Sequence, residues 1–161
     1  MAKPAKTTGK RPKICFICSS GGHLAELLPV GRRLGRKHEH FWITFKNPMT
    51  VNTLKGEKFY LVHDPIRNPV IFLKLILHSF ILFARERPDV VVTTGAGMAV
   101  PFSMISKLFR RRLIFIESFC RTDSPSLSGR VLYPFADKFY VQWESNLKHY
   151  GKKAEYRGSV Y

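Results

Sequence analysis

Short apolar runs recur along the chain, separated by longer segments whose apolar residues return every third or fourth position. The short runs predict strands over residues 13–18, 41–45, 59–62, 89–93, 113–117 and 138–142. The periodic segments predict helices over 24–37, 69–87, 98–109 and 125–133. In the first of these helices Leu24, Leu27, Leu28 and Leu34 fall on one stripe, with Arg32, Arg33, Arg36 and Lys37 elsewhere. Strands that alternate with helices predict an α/β fold, a mostly parallel sheet with helices on both faces.

One helical segment departs from the amphipathic pattern. Residues 69–84, "PVIFLKLILHSFILFA", are apolar on nearly every face and broken only by Lys74, His78 and Ser79. A spanning helix needs roughly 20 mainly apolar residues, so this run is too short to cross a bilayer and also carries a lysine. Two readings stay open: a helix buried in the core, or one lying in a lipid interface. The flanking Arg67, Arg85 and Arg87 suit the second, with Ile71, Phe72, Leu75 and Leu82 as the expected membrane contacts.

The 161 residues, 45% hydrophobic, amount to one domain with enough apolar content for its own core. A formal charge of +16 asks for a polyanionic neighbour: nucleic acid, anionic lipid or a phosphorylated substrate. The basic residues are scattered and no nucleic-acid recognition motif is present, so nucleic acid is not the expected partner. Cys15 and Cys18, three apart on a strand, face opposite sides of the sheet, and no second Cys or His pair stands at ligand spacing. They are read as buried small hydrophobes in a reducing cytoplasm, with no metal site. Residues 1–12 read as a basic flexible tail without a cleavable apolar region, ahead of a domain at 13–161.

Ligands of such sheets bind beyond the carboxyl ends of the strands, and three notable loops fall there. "SSGGH" follows the first strand, "TTGAGMAVP" the fourth and "ESFCRTDSPS" the fifth. Glycine turns that open helices point backbone N–H groups and the positive end of a helix dipole at the same space, which suits an anion. Ser20, Gly21, Gly22, Thr94, Gly95, Gly97, Ser118 and Arg121 are the candidate anion-binding residues. Each has a plainer reading. His23 can be a first-turn residue bonded to water, Gly95 and Gly97 can serve packing, Glu117 and Arg121 can form a local ion pair, and Ser124 before Pro125 can start a helix. Their convergence on one rim favours function.

The order "SSGGHL", "ERPDVVVTTGAGMAVP", "FIESFCRTDSPSLSGRVLYPFADKFYVQW" and "YRGSVY" resembles the bacterial PssD-type polysaccharide biosynthesis proteins. These are homologues of the acceptor subunit of the split N-acetylglucosaminyltransferase of the dolichol pathway. The resemblance runs from about Lys13 to the last residue. It implies the Rossmann-like, acceptor-binding and membrane-associating N-terminal half of a GT-B glycosyltransferase, with the donor domain on a separate, PssE-type chain. "RGSVY" stands where a GT-B chain would cross into its second domain, and the amino-terminal anchor of the eukaryotic relatives is not expected here. By the same resemblance the reaction moves a sugar from a UDP-sugar to a polyprenyl-diphosphate-linked saccharide. The place is the cytoplasmic face of the membrane, in capsule or exopolysaccharide assembly, and no cofactor is implied. His23 and Glu117 are then the candidate proton-moving groups, unranked, and Arg121 pairs with a phosphate or orients Glu117. The alternative is a noncatalytic membrane scaffold that recruits the donor-binding subunit.

Overall fold

The computed structural model describes residues 11–63 and 68–161. Most of the expected tail, and Arg67, lie outside these residues. The elements alternate as β1 (Ile14–Ile17), α1 (Gly22–Gly35), β2 (His40–Phe45), α2 (Pro48–Thr53), β3 (Phe59–Val62) and α3 (Pro69–Glu86). They continue as β4 (Val90–Thr93), α4 (Ala99–Leu108), β5 (Arg112–Ile116), α5 (Leu127–Leu132), β6 (Lys138–Val141), a 3-10 helix (Glu144–His149) and β7 (Ala154–Tyr156).

The strands form one seven-stranded sheet in the order β3-β2-β1-β4-β5-β6-β7, and every pairing is parallel. The chain winds outward from β1 to β3, crosses back along α3 to β4 beside β1, and winds outward again to β7. The reversal between β1 and β4 leaves a crevice at their carboxyl ends, where neighbouring loops leave in opposite directions.

Side-chain alternation divides the core into two layers. Cys15, Ile17, Phe41, Val91, Leu113, Phe115 and Phe139 pack with Leu75, Leu82 and Phe83 of α3 and Phe102 of α4. Phe16, Cys18, Trp42 and Val92 pack on the other side with Leu24 and Leu27 of α1. Cys15 and Cys18 thus lie in opposite layers, as strand geometry requires, and burial pushes both thiols up.

The Asn68 side chain accepts hydrogen bonds from the Val70 and Ile71 amides, at 2.9 and 3.3 Å, and so starts α3 ahead of Pro69. The helix stops at left-handed Arg87, because the following Pro88 cannot continue it. Its buried stripe is Leu75, Ser79, Leu82, Phe83 and Glu86. This corrects the lipid contacts expected from the sequence: Leu75 and Leu82, seven residues apart on the same stripe, face the sheet at 4% exposure each. Ile71 is half-buried and Phe72 exposed, and the outward face is carried by Val70, Leu73, Leu77 and Ile81, each more than half exposed. Phe80 extends that face to Phe109 at the end of α4, with ring centroids 6.2 Å apart. Among the described residues, no helix is long and apolar enough to cross a membrane.

At the amino end of the sheet, Glu86 closes α3 with a buried ion cluster. Lys13 and Lys58 each place Nζ 2.8 Å from its carboxylate, and the Tyr60 hydroxyl donates to it as well. Burial disfavours the charge, but the hydrogen bonds from Lys13, Lys58 and Tyr60 outweigh it and hold the Glu86 carboxyl down at about 2.

Candidate functional site

The first loop turns at Gly21, whose φ of 79° is open to glycine at little cost, and α1 begins without a side-chain cap. His23 sits in the first turn. Its carbonyl accepts a hydrogen bond from Thr94 Oγ1 at 3.0 Å, which ties the β1 and β4 loops together, and its Nδ1 is buried with no hydrogen-bond partner. In the second loop Thr93 Oγ1 accepts from the Gly95 amide at 2.9 Å. Gly95 has φ 98°, and a Cβ there would stand 2.7 Å from Ser128 Oγ. Ala96 follows at φ 75°, a strained conformation for a residue with a side chain.

The third loop, residues 117–126, is held on both sides. Toward α1, Ser118 Oγ and the Phe119 amide donate to one oxygen of Glu26, at 2.9 and 3.1 Å. Toward α5, Glu117 accepts from the Ser118 amide at 2.9 Å, from the amide and hydroxyl of Ser126 at 3.1 Å each, and from the Tyr150 hydroxyl. On the outer side Trp143 Nε1 donates to the Phe119 carbonyl and Asn146 Nδ2 to the Arg121 carbonyl, both at 2.7 Å. Ser126, rather than the expected Ser124, caps α5 by accepting from the Gly129 amide at 2.9 Å.

The three loops surround an open cavity of about 580 Å³. Gly22, His23, Glu26, Ser118 and Arg121 supply polar lining, as do Ser126 and Ser128 at the start of α5, while Phe72 of α3, Val100 of α4, and Leu127 and Val131 from α5 supply apolar lining. Through Phe72 the apolar lining runs onto the exposed face of α3. Among the described residues, the Arg121 guanidinium forms no ion pair, and no cluster of three His, Cys, Asp or Glu side chains is placed to hold a metal.

Of the residues the sequence points to, the structure brings Gly22, His23, Gly97, Ser118 and Arg121 to the cavity wall. Ser20 and Gly21 form the turn beside it, and Thr94 and Gly95 are buried behind it. Glu117 is corrected: it is fully buried, does not line the cavity, spends its oxygens on four donors and does not pair with Arg121. Its work is to fix the loop, and it also raises the Tyr150 hydroxyl's pKa, after burial, which is the larger cause. The carboxylate at the cavity is Glu26, which the sequence reading passes over. Burial pushes its carboxyl up, against the hydrogen bonds of Ser118 and Phe119 and the nearby His23. The available signal was position: Glu26 follows His23 by three residues, on the same side of a helix whose stripe is otherwise leucine.

A profile of the family described as "Oligosaccharide biosynthesis protein Alg14 like" matches residues 58–160, more than half of the chain. The chain belongs to the Alg14-like family. It is 28% identical to the UDP-N-acetylglucosamine transferase subunit ALG14 of Rattus norvegicus, covering 91% of this chain and 82% of the rat protein. The Homo sapiens counterpart is 27% identical over the same shares. The Candida albicans counterpart reaches 39% identity over 51% of this chain and 40% of its own. Among solved structures, MurG of Acinetobacter baumannii superimposes with a TM-score of 0.77 at 15% identity, over 93% of this chain and 46% of MurG. The S. aureus MnaA–UDP complex gives 0.72 at 14% identity, over 92% of this chain and 44% of MnaA. The chain thus spans about half the length of the solved structures it matches, and this Alg14-like chain has the Rossmann-like fold of one half of a GT-B glycosyltransferase.

Proposed function

We propose that the chain is the acceptor-binding subunit of a two-chain glycosyltransferase. The enzyme transfers a sugar from a UDP-sugar to a polyprenyl-diphosphate-linked saccharide, in capsule or exopolysaccharide assembly at the cytoplasmic face of the membrane. The observation that carries this reading is the mixed lining of the cavity: an imidazole and a guanidinium that has no ion pair among the described residues, together with apolar side chains that lead through Phe72 onto the outward face of α3. A lipid diphosphate combines the same two characters. Arg121 and the amino end of α1 meet its phosphates, and Phe72, Leu127 and Val131 meet its first isoprene units.

During transfer, the acceptor hydroxyl oxygen bonds to the anomeric carbon of the donor as the bond from that carbon to UDP breaks. The hydroxyl proton goes to the neutral imidazole of His23. The family relatives are named as subunits, and the fold is half of a two-domain enzyme, which supports a donor-binding partner chain that supplies the opposite wall. Leu73, Leu77 and Ile81 on α3, with exposed Lys74, Arg85 and Arg87 around them, dock the chain on an anionic lipid surface.

Reconstitution tests the reading. The purified chain, the donor-binding chain, UDP-sugar and a lipid-linked acceptor are combined, with each protein alone as control. Transfer is expected only in the mixture and is lost in His23→Ala. Robust turnover by the single chain overturns the split enzyme, and full activity of His23→Ala in the mixture makes the chain a scaffold.

A further inference from the structure

Among the described residues, Glu26 is the sole acidic side chain lining the cavity, and it is 2% exposed. Three elements meet on it. From α1 it reaches to the β5–α5 loop, where one oxygen accepts from Ser118 Oγ and the Phe119 amide, and its other oxygen stands 3.5 Å from Gln142 Nε2 just after β6. The loop then passes the constraint on, since the Ser118 carbonyl accepts from the Arg121 amide at 2.9 Å. Packing alone does not call for this arrangement. Burial of this carboxylate on the leucine stripe disfavours its charge and Glu117 adds to that, while the Ser118 and Phe119 hydrogen bonds and the nearby His23 oppose it.

We propose that Glu26 is a positioning residue for sugar transfer: through Ser118 it ties the loop carrying Arg121 to the helix carrying His23, so that the phosphate-binding and proton-moving groups keep one spacing. The inference rests on the acceptor reading of the cavity. His23 and Glu26 are one turn apart on α1, so whatever holds the loop to Glu26 holds it to His23. Glu26 does not touch the reacting atoms. Its effect reaches the substrate through Arg121.

The test uses the two-chain complex with saturating UDP-sugar and varied lipid-linked acceptor. Glu26→Ala is expected to raise the acceptor KM roughly tenfold, the effect of losing one or two hydrogen bonds, with kcat changed less. Glu26→Gln, whose carboxamide oxygen accepts the same two bonds, is expected to return KM to within about threefold of wild type. A folded Glu26→Ala with wild-type KM, or a Glu26→Gln as impaired as the alanine variant, overturns the proposal. Ser118→Ala, which removes one of the two loop donors, keeps the test alive if Glu26→Ala does not fold: an unchanged KM there also overturns it. His23→Ala and Arg121→Ala run alongside. If those two are impaired while Glu26→Ala is not, the positioning role fails alone; if none is impaired, the acceptor reading fails.

A second readout needs no partner chain. Cys120 is exposed in the loop while Cys15 and Cys18 are buried, so iodoacetamide reports on Cys120. Glu26→Ala is expected to speed its alkylation several-fold and Glu26→Gln to leave it near the wild-type rate, because an untied loop presents its thiol more freely. An unchanged rate in folded Glu26→Ala overturns the tie.

Discussion

The two ends of the sheet treat buried carboxylates in opposite ways. At the amino end Glu86 is neutralised by Lys13 and Lys58 and held ionised. At the carboxyl end Glu26 and Glu117 are satisfied by hydroxyls and amides, while among the described residues no carboxylate pairs with Arg121 and the His23 Nδ1 has no hydrogen-bond partner. Charge at the amino end is used to close the fold. At the carboxyl end the Arg121 guanidinium and the His23 imidazole are left available, and hydroxyls and amides do the structural work. On the proposed reading, a phosphate entering the cavity meets a guanidinium that is paired with no carboxylate among the described residues. Helix α3 runs between the two ends, from Phe72 at the cavity to Glu86 at the ion cluster.

The comparison breaks most directly at His23. His23→Ala in the two-chain complex is expected to lower the transfer rate roughly a hundredfold to ten-thousandfold, the range for losing a general base, with thermal stability unchanged. Loss of stability in step with activity would erase the contrast between the ends. Glu86→Ala is the reciprocal change: about 2 kcal/mol of stability is lost in chemical denaturation, allowing for the half-exposed Lys58, while turnover per folded molecule is kept.

Acid sharpens the same contrast. Glu86 ionises at about 2 in the fold against an ordinary 4.5, so between those values the unfolded chain binds more protons. Its stabilisation is whole above about pH 4.5 and is lost as the pH falls toward 2, and Glu86→Gln should remove that part of the slope from denaturation curves. The smallest effect on the fold belongs to the outward face of α3. Leu73→Ser, Leu77→Ser and Ile81→Ser together should release the chain from anionic vesicles in a flotation assay and move stability by about 0.5 kcal/mol or less per substitution. Leu75→Ser, on the buried stripe, should cost about 3 kcal/mol.

Strands were the most legible part of the fold, because a strand buried on both faces is an uninterrupted apolar run, as in "ICFI" and "VVVT". Short elements without a period were not. Helix α2 offers only "PMTVNT", although Asn47 before Pro48 carried a start signal, realised as a hydrogen bond from the Met49 amide at 2.8 Å. Strand β7 is three residues paired on a sheet edge, too few to show alternation. The apolar character of residues 69–84 was evident, but which leucines face out depends on the helix's rotation against the sheet, and that placed Leu75 and Leu82 inward. The place of His23 and Arg121 at the cavity wall was legible because loops after strands gather at one edge. Glu117 and Glu26 could not be told apart, since burial of a carboxylate is decided by its tertiary donors, and residues 26 and 118 meet only in the fold.

The aromatic side chains around the third loop give the molecule an optical consequence. Its two tryptophans occupy unlike surroundings: Trp42 is sealed in the core against Phe16, while Trp143 is half-buried and bonded to the Phe119 carbonyl of the loop that carries Arg121. Emission from Trp42 is a fixed background as long as the chain is folded. Trp143, with the Phe119 ring 4.9 Å away, sits where a displacement of that loop would change its surroundings, so intrinsic fluorescence offers a label-free test of whether the loop shifts when a ligand enters the cavity.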